Sequence, residues 1–583
     1  MAGTLNFMHF FAYPYRIVYF CRTMTIQSLL NNRLVCCCLL WWLPFVLLYG
    51  FDPMAYTAIQ QQMHAGDLTS CIQRIEKELK KDKNEAQWYW LLDDVYLKQS
   101  RHDQRIAILQ KGLKQKKLTD RKSTTLRLAT AYFDSGDYQQ AEQIYKSLPL
   151  TPYIANALEK CRIADSLRKH PVEMARYSMG DSINTPFDNL WPSLTANGKI
   201  FCSTVVVGKR GYTGNPHLWQ EDIYISEKKN GVWQPAKALP KPINTKGNEG
   251  ASYFSADGKY LFFVRCNEQG GHGSCDIYYM VKQGNSWSQP ILADAPLNSE
   301  YWESNPMLSA SQKEIYFSSN RPGGMGKKDI WKCDVQVVEN GLLSFSHATC
   351  LRSINTPYDE VSPFLHANDS YLYFSSNGHA GMGGLDVFYS QRTDSNQWSQ
   401  PCNIGYPINT YRDEMGWAVS PDGKDAYLSG SLGEEEKHRQ VIYRIELPHA
   451  LQPTPVSIVQ QLQIDGTYRL TRILFATGEA TLLPASHQQL NELVQVLQEN
   501  PNLHLLISGH TDNQGSEAYN LQLSQKRADS VVAYLVQQGI SPARLQSKGY
   551  GFSQPIESNT TERGRAQNRR IEASIIPAYS NDK

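Results

Sequence analysis

The chain has 583 residues, which at roughly 150 residues per domain implies about four units and excludes a single small domain. Its formal net charge is +2, with 41% hydrophobic and 20% charged residues, a balance that excludes a disordered chain and the cationic excess of a nucleic-acid-binding protein. The 33 tyrosines, 12 tryptophans, 39 glycines and 29 prolines predict a β-rich part, because aromatics suit pleated surfaces and Gly and Pro punctuate short strands.

Residues 1–50 read as a leader. Asn31, Asn32 and Arg33 precede an apolar run from Leu34 to Gly50, the order of a charged segment followed by a hydrophobic one in an export signal. A start at Met24 gives a more usual leader than one at Met1. Cys36, Cys37 and Cys38 stand at the beginning of the run, whereas a lipid-acceptor cysteine belongs at its end. A retained membrane helix is the weaker reading, since 17 residues barely reach the length that spans a bilayer. Of the cysteines that follow, Cys266 with Cys275, or Cys333 with Cys350, are spaced to close short hairpin loops in an exported protein. Zinc is disfavoured because no CxxC pair occurs after the leader.

Residues 55–178 carry helical periodicity. Leu126, Ala129, Tyr132 and Phe133, then Ala141, Ile144, Tyr145 and Leu148, form two apolar stripes hinged at Ser135, Gly136 and Asp137. Trp90, Leu91, Val95 and Tyr96, followed by Ile106, Leu109 and Leu113, repeat the scheme about 36 residues upstream. The spacing and the A-Y-F-x-x-G-D-Y-x-x-A pattern from Ala131 resemble tetratricopeptide repeats, which imply a concave protein-docking groove. A helical cap packed on the next domain is the competing reading.

Residues 180–448 show internal symmetry. Ile183-Asn184-Thr185 recurs as Ile243-Asn244-Thr245, Leu297-Asn298-Ser299, Ile354-Asn355-Thr356 and Ile408-Asn409-Thr410, at steps of 60, 54, 57 and 54 residues. A turn follows each at a constant offset, from Ala196, Ala256, Ala310, Ala367 and Pro421. Then come an aromatic-aliphatic strand, a Gly-rich loop and an Asp-Ile type start (Asp222, Asp276, Asp329, Asp386). Short strands with one motif per unit predict the blades of a β-propeller, five of them visible as repeats. The S-P-D-G-K turn and G-G-x-G-x-x-D-[IV] loop resemble PD40 (WD40-like) repeats of periplasmic proteins. Arg321 to Lys328 has some likeness to a phosphate-binding loop, but its spacing is wrong, and related loops at Gly270–Gly273 and Gly381–Gly384 recur in the same phase. Tight turns with aspartates capping backbone amides are the better reading than phosphate or cation binding.

A linker, 449–460, leads to the C-terminal domain, 461–578. Alternating patterns predict strands at Ile473–Phe475, Leu503–Ser508, Leu545–Tyr550 and Ile571–Ile576, with helices at Pro484–Gln498 and Ser516–Gln538. Leu521, Ala528, Val531, Val532 and Leu535 are expected to form the buried stripe of the second helix, with Asn520 and Arg527 on another face beside Asp512. Gly509 to Ser516, Tyr519 to Ala528, Gly549-Tyr550-Gly551 and Gly564 to Glu572 look like four ordered motifs of the OmpA/Pal/MotB family, which binds peptidoglycan noncovalently. The resemblance implies that Asp512 pairs with the ammonium of the diaminopimelate side chain and Arg527 with its carboxylate, with Thr511, Asn520 and Arg569 as supporting contacts. One anion and one planar cation suit a zwitterion. Many relatives carry Asp after the first-strand Phe, whereas Ala476 follows Phe475 here; the missing contact falls to Thr477 or Glu479.

The expected fold class is therefore multidomain: all-α hairpins, an all-β propeller, and an α+β sandwich. This order resembles multidomain periplasmic OmpA-family proteins, some associated with type IX secretion. In those a small β-sandwich often separates propeller from OmpA module, and here only Pro448 to about Gln460 intervenes. The implied function is a non-enzymatic envelope adaptor, without cofactor or metal, in the periplasm near the cell wall and outer membrane. Its implied partners are peptidoglycan and envelope or secretion-machinery proteins, with no nucleic acid. His510-Thr511-Asp512 has triad residue types but no GxSxG, and HExxH is absent. The alternative, a propeller-gated periplasmic hydrolase, requires a catalytic domain for which no unassigned stretch is large enough. A porin-type barrel is contradicted by the 54 to 60 residue repeat.

Overall fold

The computed structural model describes residues 52–195, 198, 200–207, 220–229, 232–284, 286–394, 397–430, 439–454, 456–470, 473–476 and 478–576. The expected leader with Cys36 to Cys38, the turn residues Ala196, Asn197 and Lys199, and Thr477 lie outside them. Two compact units separate at Ala131 and Tyr132.

The first unit is helical: α1 (Pro53–His64), α2 (Leu68–Lys81), α3 (Ala86–Lys98), α4 (His102–Leu113) and the start of α5 (Arg121–Asp134). Asp52 and Asp67 accept hydrogen bonds from the first-turn amides of α1 and α2, which satisfies donors that have no partner within a helix. α2 buries Cys71, Ile75 and Leu79 at four-residue spacing, and α3 buries Trp88, Tyr89, Leu91 and Leu92. A Cβ on Gly112 would lie 3.1 Å from the Tyr89 ring, so this glycine lets α4 seat against that aromatic. A buried ion pair, Arg105 to Asp93 at 2.8 Å, is extended by Arg127, which reaches Asp93 and Asp94.

In the second unit, α6 (Tyr138–Lys146) and α7 (Pro152–Lys169) precede the strands. The Tyr138 hydroxyl donates to the Met382 carbonyl at 2.8 Å and Lys160 Nζ to Asn377 O at 3.1 Å, so these helices are tied to the β-rich part. The strands then form five antiparallel sheets. The first is β2 (Asp188–Leu194), β3 (Ile200–Val207) and β4 (Gln220–Lys229), with two-residue edges β5 (Val232–Trp233) and β6 (Lys237–Ala238). The second is β7 (Asn248–Phe254), β8 (Tyr260–Cys266) and β9 (Cys275–Gln283), with edges β10 (Ser286–Trp287) and β11 (Ile291–Leu292). The third is β12 (Glu303–Leu308), β13 (Glu314–Ser319), β14 (Asp329–Val337) and β15 (Leu343–Cys350). The fourth is β16 (Glu360–Leu365), β17 (Tyr371–Ser376) and β18 (Asp386–Asp394), with edges β19 (Gln397–Trp398) and β20 (Cys402–Asn403). The fifth is β21 (Met415–Val419), β22 (Asp425–Gly430) and β23 (Val441–Glu446), and its outer strand is β1 (Ala175–Ser178). Chain from before the first sheet thus completes the last one.

The sequence repeat has a mechanical meaning. Asn244 accepts from Ile223 N and donates to Ile223 O; Asn298 does the same with Ile277, Asn355 with Ile330, Asn409 with Val387 and Asn184 with Ile442. Each side-chain amide thereby stands in for a backbone amide on the outer edge of a third strand. In four of the five units the Thr or Ser that follows binds a carboxylate four residues on, as Thr245 does Glu249 and Thr410 does Glu414; in the first unit Thr185 N donates to the Asn189 side chain instead. In the Gly-rich loops Asp276, Asp329 and Asp386 accept from the backbone amides of His272 and Gly273, Met325 and Gly326, and Met382 and Gly383. This is the capping role expected of them. A Cβ on Gly326 would sit 2.0 Å from Tyr358 O, so this position requires glycine. The first strands β2, β7, β12, β16 and β21 contact one another in succession, and β21 contacts β2. All five break register at the same point, where Trp191, Ala251, Asn305, Ser362 and Gly416 have positive φ. They line a cavity of about 50 Å³, well below the size of a metabolite pocket.

Cys266 and Cys275 form a disulfide. Cys333 and Cys350 are free thiols, which corrects the second spacing-based pairing: Cys333 is paired in register with Ile315 and Cys350 with Trp331, so strand registry does not set them opposite each other.

The C-terminal domain contains α8 (Ile458–Asp465), β24 (Thr467–Leu470), α9 (His487–Glu499), β25 (Leu505–His510), α10 (Glu517–Gln537), β26 (Leu545–Gly549), α11 (Glu562–Asn568) and β27 (Arg570–Ile575). Its sheet order is β24-β27-β25-β26, with β25 and β26 parallel. Leu490, Leu493 and Leu497 of α9 and Val531 and Leu535 of α10 pack on Leu505, Ile507 and Ala573, each large side chain contributing about 2 kcal/mol. The strand expected at Ile473–Phe475 is replaced by one bridge, Phe475 to Leu482. The chain there turns back on itself, with Ala476 N donating to Thr481 O and Glu479 N to Ala476 O. The edge strand is β24 instead.

Candidate functional site

α10 is placed by glycine. Gly509 and Gly549 are register partners at the ends of β25 and β26. Cβ atoms there would lie 2.2 Å from Ser524 O and 2.4 Å from Gln525 N, so only glycine lets the helix backbone approach the sheet this closely. The buried face of α10 is consequently Asn520, Ser524, Ala528, Val531 and Leu535. This corrects the expected stripe: Leu521 is 50% exposed, because the small Ser524 and not a leucine must meet the glycines. It also moves Asn520 from the polar face to the buried one. Ser516 caps the helix by accepting from Tyr519 N.

β25 ends at His510 and the loop after it carries Thr511 and Asp512, all three buried. His510 stacks on Tyr550 at 5.3 Å, and burial, reinforced by Arg570, pushes its imidazole down to about 4, so it is neutral at physiological pH. Thr511 N donates to Gly551 O, while its Oγ1 is buried without a hydrogen-bond partner among the described residues. Asp512 Oδ1 accepts from Gln514 N at 3.0 Å and Oδ2 from Arg569 Nη1 at 2.6 Å. Arg569 also donates to Glu562 Oε1 at 2.9 Å, and the two carboxylates hold its guanidinium above its ordinary range. Asn520 Nδ2 donates to Gln514 O and Ser516 O, fixing the loop on which Asp512 sits.

Arg527 occupies a different environment. Its Nε donates to Glu479 O at 2.9 Å, and its guanidinium lies 4.9 Å from the centre of the Phe475 ring. Burial lowers its pKa, and the charges of Arg569 and Asp512 act on it in opposite senses. It remains a cation at neutral pH, and among the described residues no carboxylate lies within ion-pair distance of it. Glu479 thus meets Arg527 through its carbonyl; its carboxylate accepts from Thr481.

The five predicted residues therefore gather around the end of β25 and the first half of α10, with Arg569 arriving from beyond α11. Two participants escaped sequence reasoning. Glu562 anchors Arg569 from seven residues upstream in the first turn of α11, a position where acids favour the helix dipole. Phe475 was visible as an aromatic, but its place under Arg527 depends on the loop closure at 476–481. No group of three or more metal-ligating side chains occurs among the described residues. No helix among them is long and apolar enough to cross a membrane.

Residues 474–569 match the OmpA family. Outer membrane porin F of Pseudomonas fluorescens is 38% identical over 121 residues, 21% of this chain and 35% of that protein. The peptidoglycan-binding protein ArfA of Mycobacterium bovis is 42% identical over 103 residues, 18% of this chain and 32% of that protein. The crystal structure of the peptidoglycan-associated lipoprotein from Burkholderia pseudomallei has 31% identity, covering 18% of this chain and 86% of that one, with a TM-score of 0.17. The chain spans about a third to a half of the length of the curated relatives it matches. The match over residues 474–569 makes the C-terminal part of this chain an OmpA-family domain.

Proposed function

We propose that the chain is a non-catalytic envelope adaptor whose C-terminal domain, 461–578, binds peptidoglycan. In this reading the helices of 55–178 are tetratricopeptide-like and residues 180–448 are a five-bladed PD40 propeller, and both dock protein partners of the periplasm and outer membrane. The ring of first-strand contacts and the closing strand β1 support the propeller; the helix pairs on either side of Gly136 support the repeats.

The observation that carries peptidoglycan binding is the state of Arg527. A half-buried guanidinium held by a carbonyl and an aromatic ring, with no carboxylate partner among the described residues, is a ready donor to a ligand carboxylate. Asp512, oriented by Gln514 N and Arg569, supplies the opposite charge for an ammonium. Thr511 Oγ1 adds a buried polar atom in need of a partner. The ligand's ammonium then shares Asp512 with Arg569 and the ligand's carboxylate takes Arg527, the pairing a diaminopimelate stem peptide offers.

Co-sedimentation with purified peptidoglycan tests this. Asp512→Ala and Arg527→Ala should each lose at least tenfold in bound fraction at unchanged thermal stability, with Arg527→Lys intermediate, because a point charge lacks the planar fork. Equal retention by wild type and both alanine variants overturns the assignment.

A further inference from the structure

The first unit carries a surface that the peptidoglycan reading does not use. The Tyr56 ring in the first turn of α1 lies 5.8 Å from that of Trp88 in the first turn of α3, so the start of α1 adjoins the α2–α3 connection, and hydrogen bonds bring the α4–α5 connection to the same end. Thr119 N donates to Asn84 O, and Ala86 N donates to Thr119 Oγ1, which join the two connections directly. From Lys111 to Lys122 the sequence holds Lys111, Lys114, Lys116, Lys117, Arg121 and Lys122 against one acid, Asp120. All six cations are exposed, and Asp120 is engaged with Ser123. Exposed Lys83 lies on the adjoining connection, between Asp82 and Glu85, and exposed Lys80 in the last turn of α2. None of these lysines has an ion-pair partner among the described residues. The same end carries Met54, 83% exposed in the first turn of α1.

We propose that this basic end of the helical unit binds the surface of an anionic phospholipid bilayer. The cations are almost all lysines on flexible stems, suited to diffuse headgroup charge, and the patch has no exposed aromatic rings interleaved for stacking bases. The exposed Met54 side chain at the same end fits a bilayer better than a soluble polyanion. Each lysine near such a surface is worth roughly fivefold in partitioning, and the attraction is screened by salt.

Sedimentation of the full chain with large vesicles tests the assignment, comparing phosphatidylglycerol:phosphatidylcholine with phosphatidylcholine alone. The expected result is phosphatidylglycerol-dependent binding that 0.5 M NaCl, on the order of a 4 Å screening length, removes. The fourfold variant Lys114→Gln, Lys116→Gln, Lys117→Gln, Lys122→Gln should lose at least tenfold of that binding with an unchanged melting temperature. A control, Lys237→Gln with Lys241→Gln, should keep it. Equal binding to neutral vesicles, equal binding by the fourfold variant, or equal loss in the control overturns the proposal. Tighter binding to duplex DNA or polyglutamate than to the anionic vesicles at the same salt overturns it in favour of a soluble polyanion.

Discussion

Asp386 shows how a capping residue becomes a titrating one. Its Oδ2 accepts from Met382 N and Gly383 N while Oδ1 is buried without a partner. Burial pushes its carboxyl up to about 7, against the opposing pull of those amides and Lys160, with Asp413 adding to the rise. Glu414, also buried, is raised well above its ordinary range by burial and by Asp386. The Tyr138 hydroxyl, pushed up by burial and then by Asp386 and Glu414, faces the same cluster. An acid whose pKa is higher in the folded than in the unfolded chain stabilises the fold below its unfolded value, near 4, and loses that contribution as pH rises toward its folded value. Stability of this part should therefore fall from pH 4 to pH 7. Asp386→Asn keeps one acceptor for the amides and cannot ionise, so its melting temperature relative to wild type should rise over that interval, equivalent to about 4 kcal/mol at most. A relative melting temperature that does not change with pH would mean that Asp386 is already ionised at pH 4 in the folded chain. The aspartate's position was legible, because it recurs after each glycine loop. Its protonation was not, because that depends first on burial, and the helices whose Tyr138 and Ala164 pack on Met382 in the same loop lie more than two hundred residues away in sequence.

At the level of elements, sequence reasoning succeeded where a residue type repeats and failed where a contact is made only once. The Ile-Asn-Thr repeat marked five equivalent positions, and each asparagine proves to bond the edge of a third strand. Asn298 illustrates the cost of breaking one. It accepts from Ile277 N and donates to Ile277 O and Ala293 O while almost wholly buried. Asn298→Leu leaves Ile277 N and Ala293 O without their partner, while Ile277 O keeps its bond from Ala293 N, and a loss of about 2 kcal/mol or more is expected. Chemical denaturation of the β-rich part checks this; a loss below about 1 kcal/mol would show that the amide is replaceable by water. In the C-terminal domain the glycines of Gly-His-Thr-Asp and Gly-Tyr-Gly were recognised as motif, but their reason is the approach of α10. Leu521 was placed in the core because hydrophobicity alone cannot reveal that a helix will turn its smallest side chain inward. Gly509→Ala, with its Cβ 2.2 Å from Ser524 O, should displace α10 and abolish both the cooperative melting of this domain and peptidoglycan sedimentation. Loss of sedimentation with melting intact would instead assign Gly509 a direct role in binding.

The expectation of a linker over 449–460 bears on how the C-terminal domain is joined to the rest of the second unit. The segment is held at several points. Leu451 packs against the core of the fifth sheet, Pro453 lies against Gly423 of the fifth-sheet turn, and Asn368 Nδ2 donates to Thr454 O at 2.7 Å. Gln460, within the capping box that opens α8, donates to Asn368 O. A chain so fastened is a strut rather than a free tether. None of this is visible in the segment's own composition, since the fastening residues lie in turns of the fourth and fifth sheets. Asn368 is the discriminating position, because its Oδ1 also accepts from Ser370 N within its own turn. Asn368→Asp preserves that acceptor but sets a carboxylate oxygen against the Thr454 carbonyl where a donor stood, a repulsion with no compensating bond. Limited proteolysis should then cut within 449–460 at least tenfold faster, while melting of the five-sheet part and peptidoglycan sedimentation stay at wild-type levels. Unchanged cleavage would mean that Pro453 and Leu451 hold the strut without the asparagine, and that the hydrogen bond to Thr454 only follows the packing it accompanies.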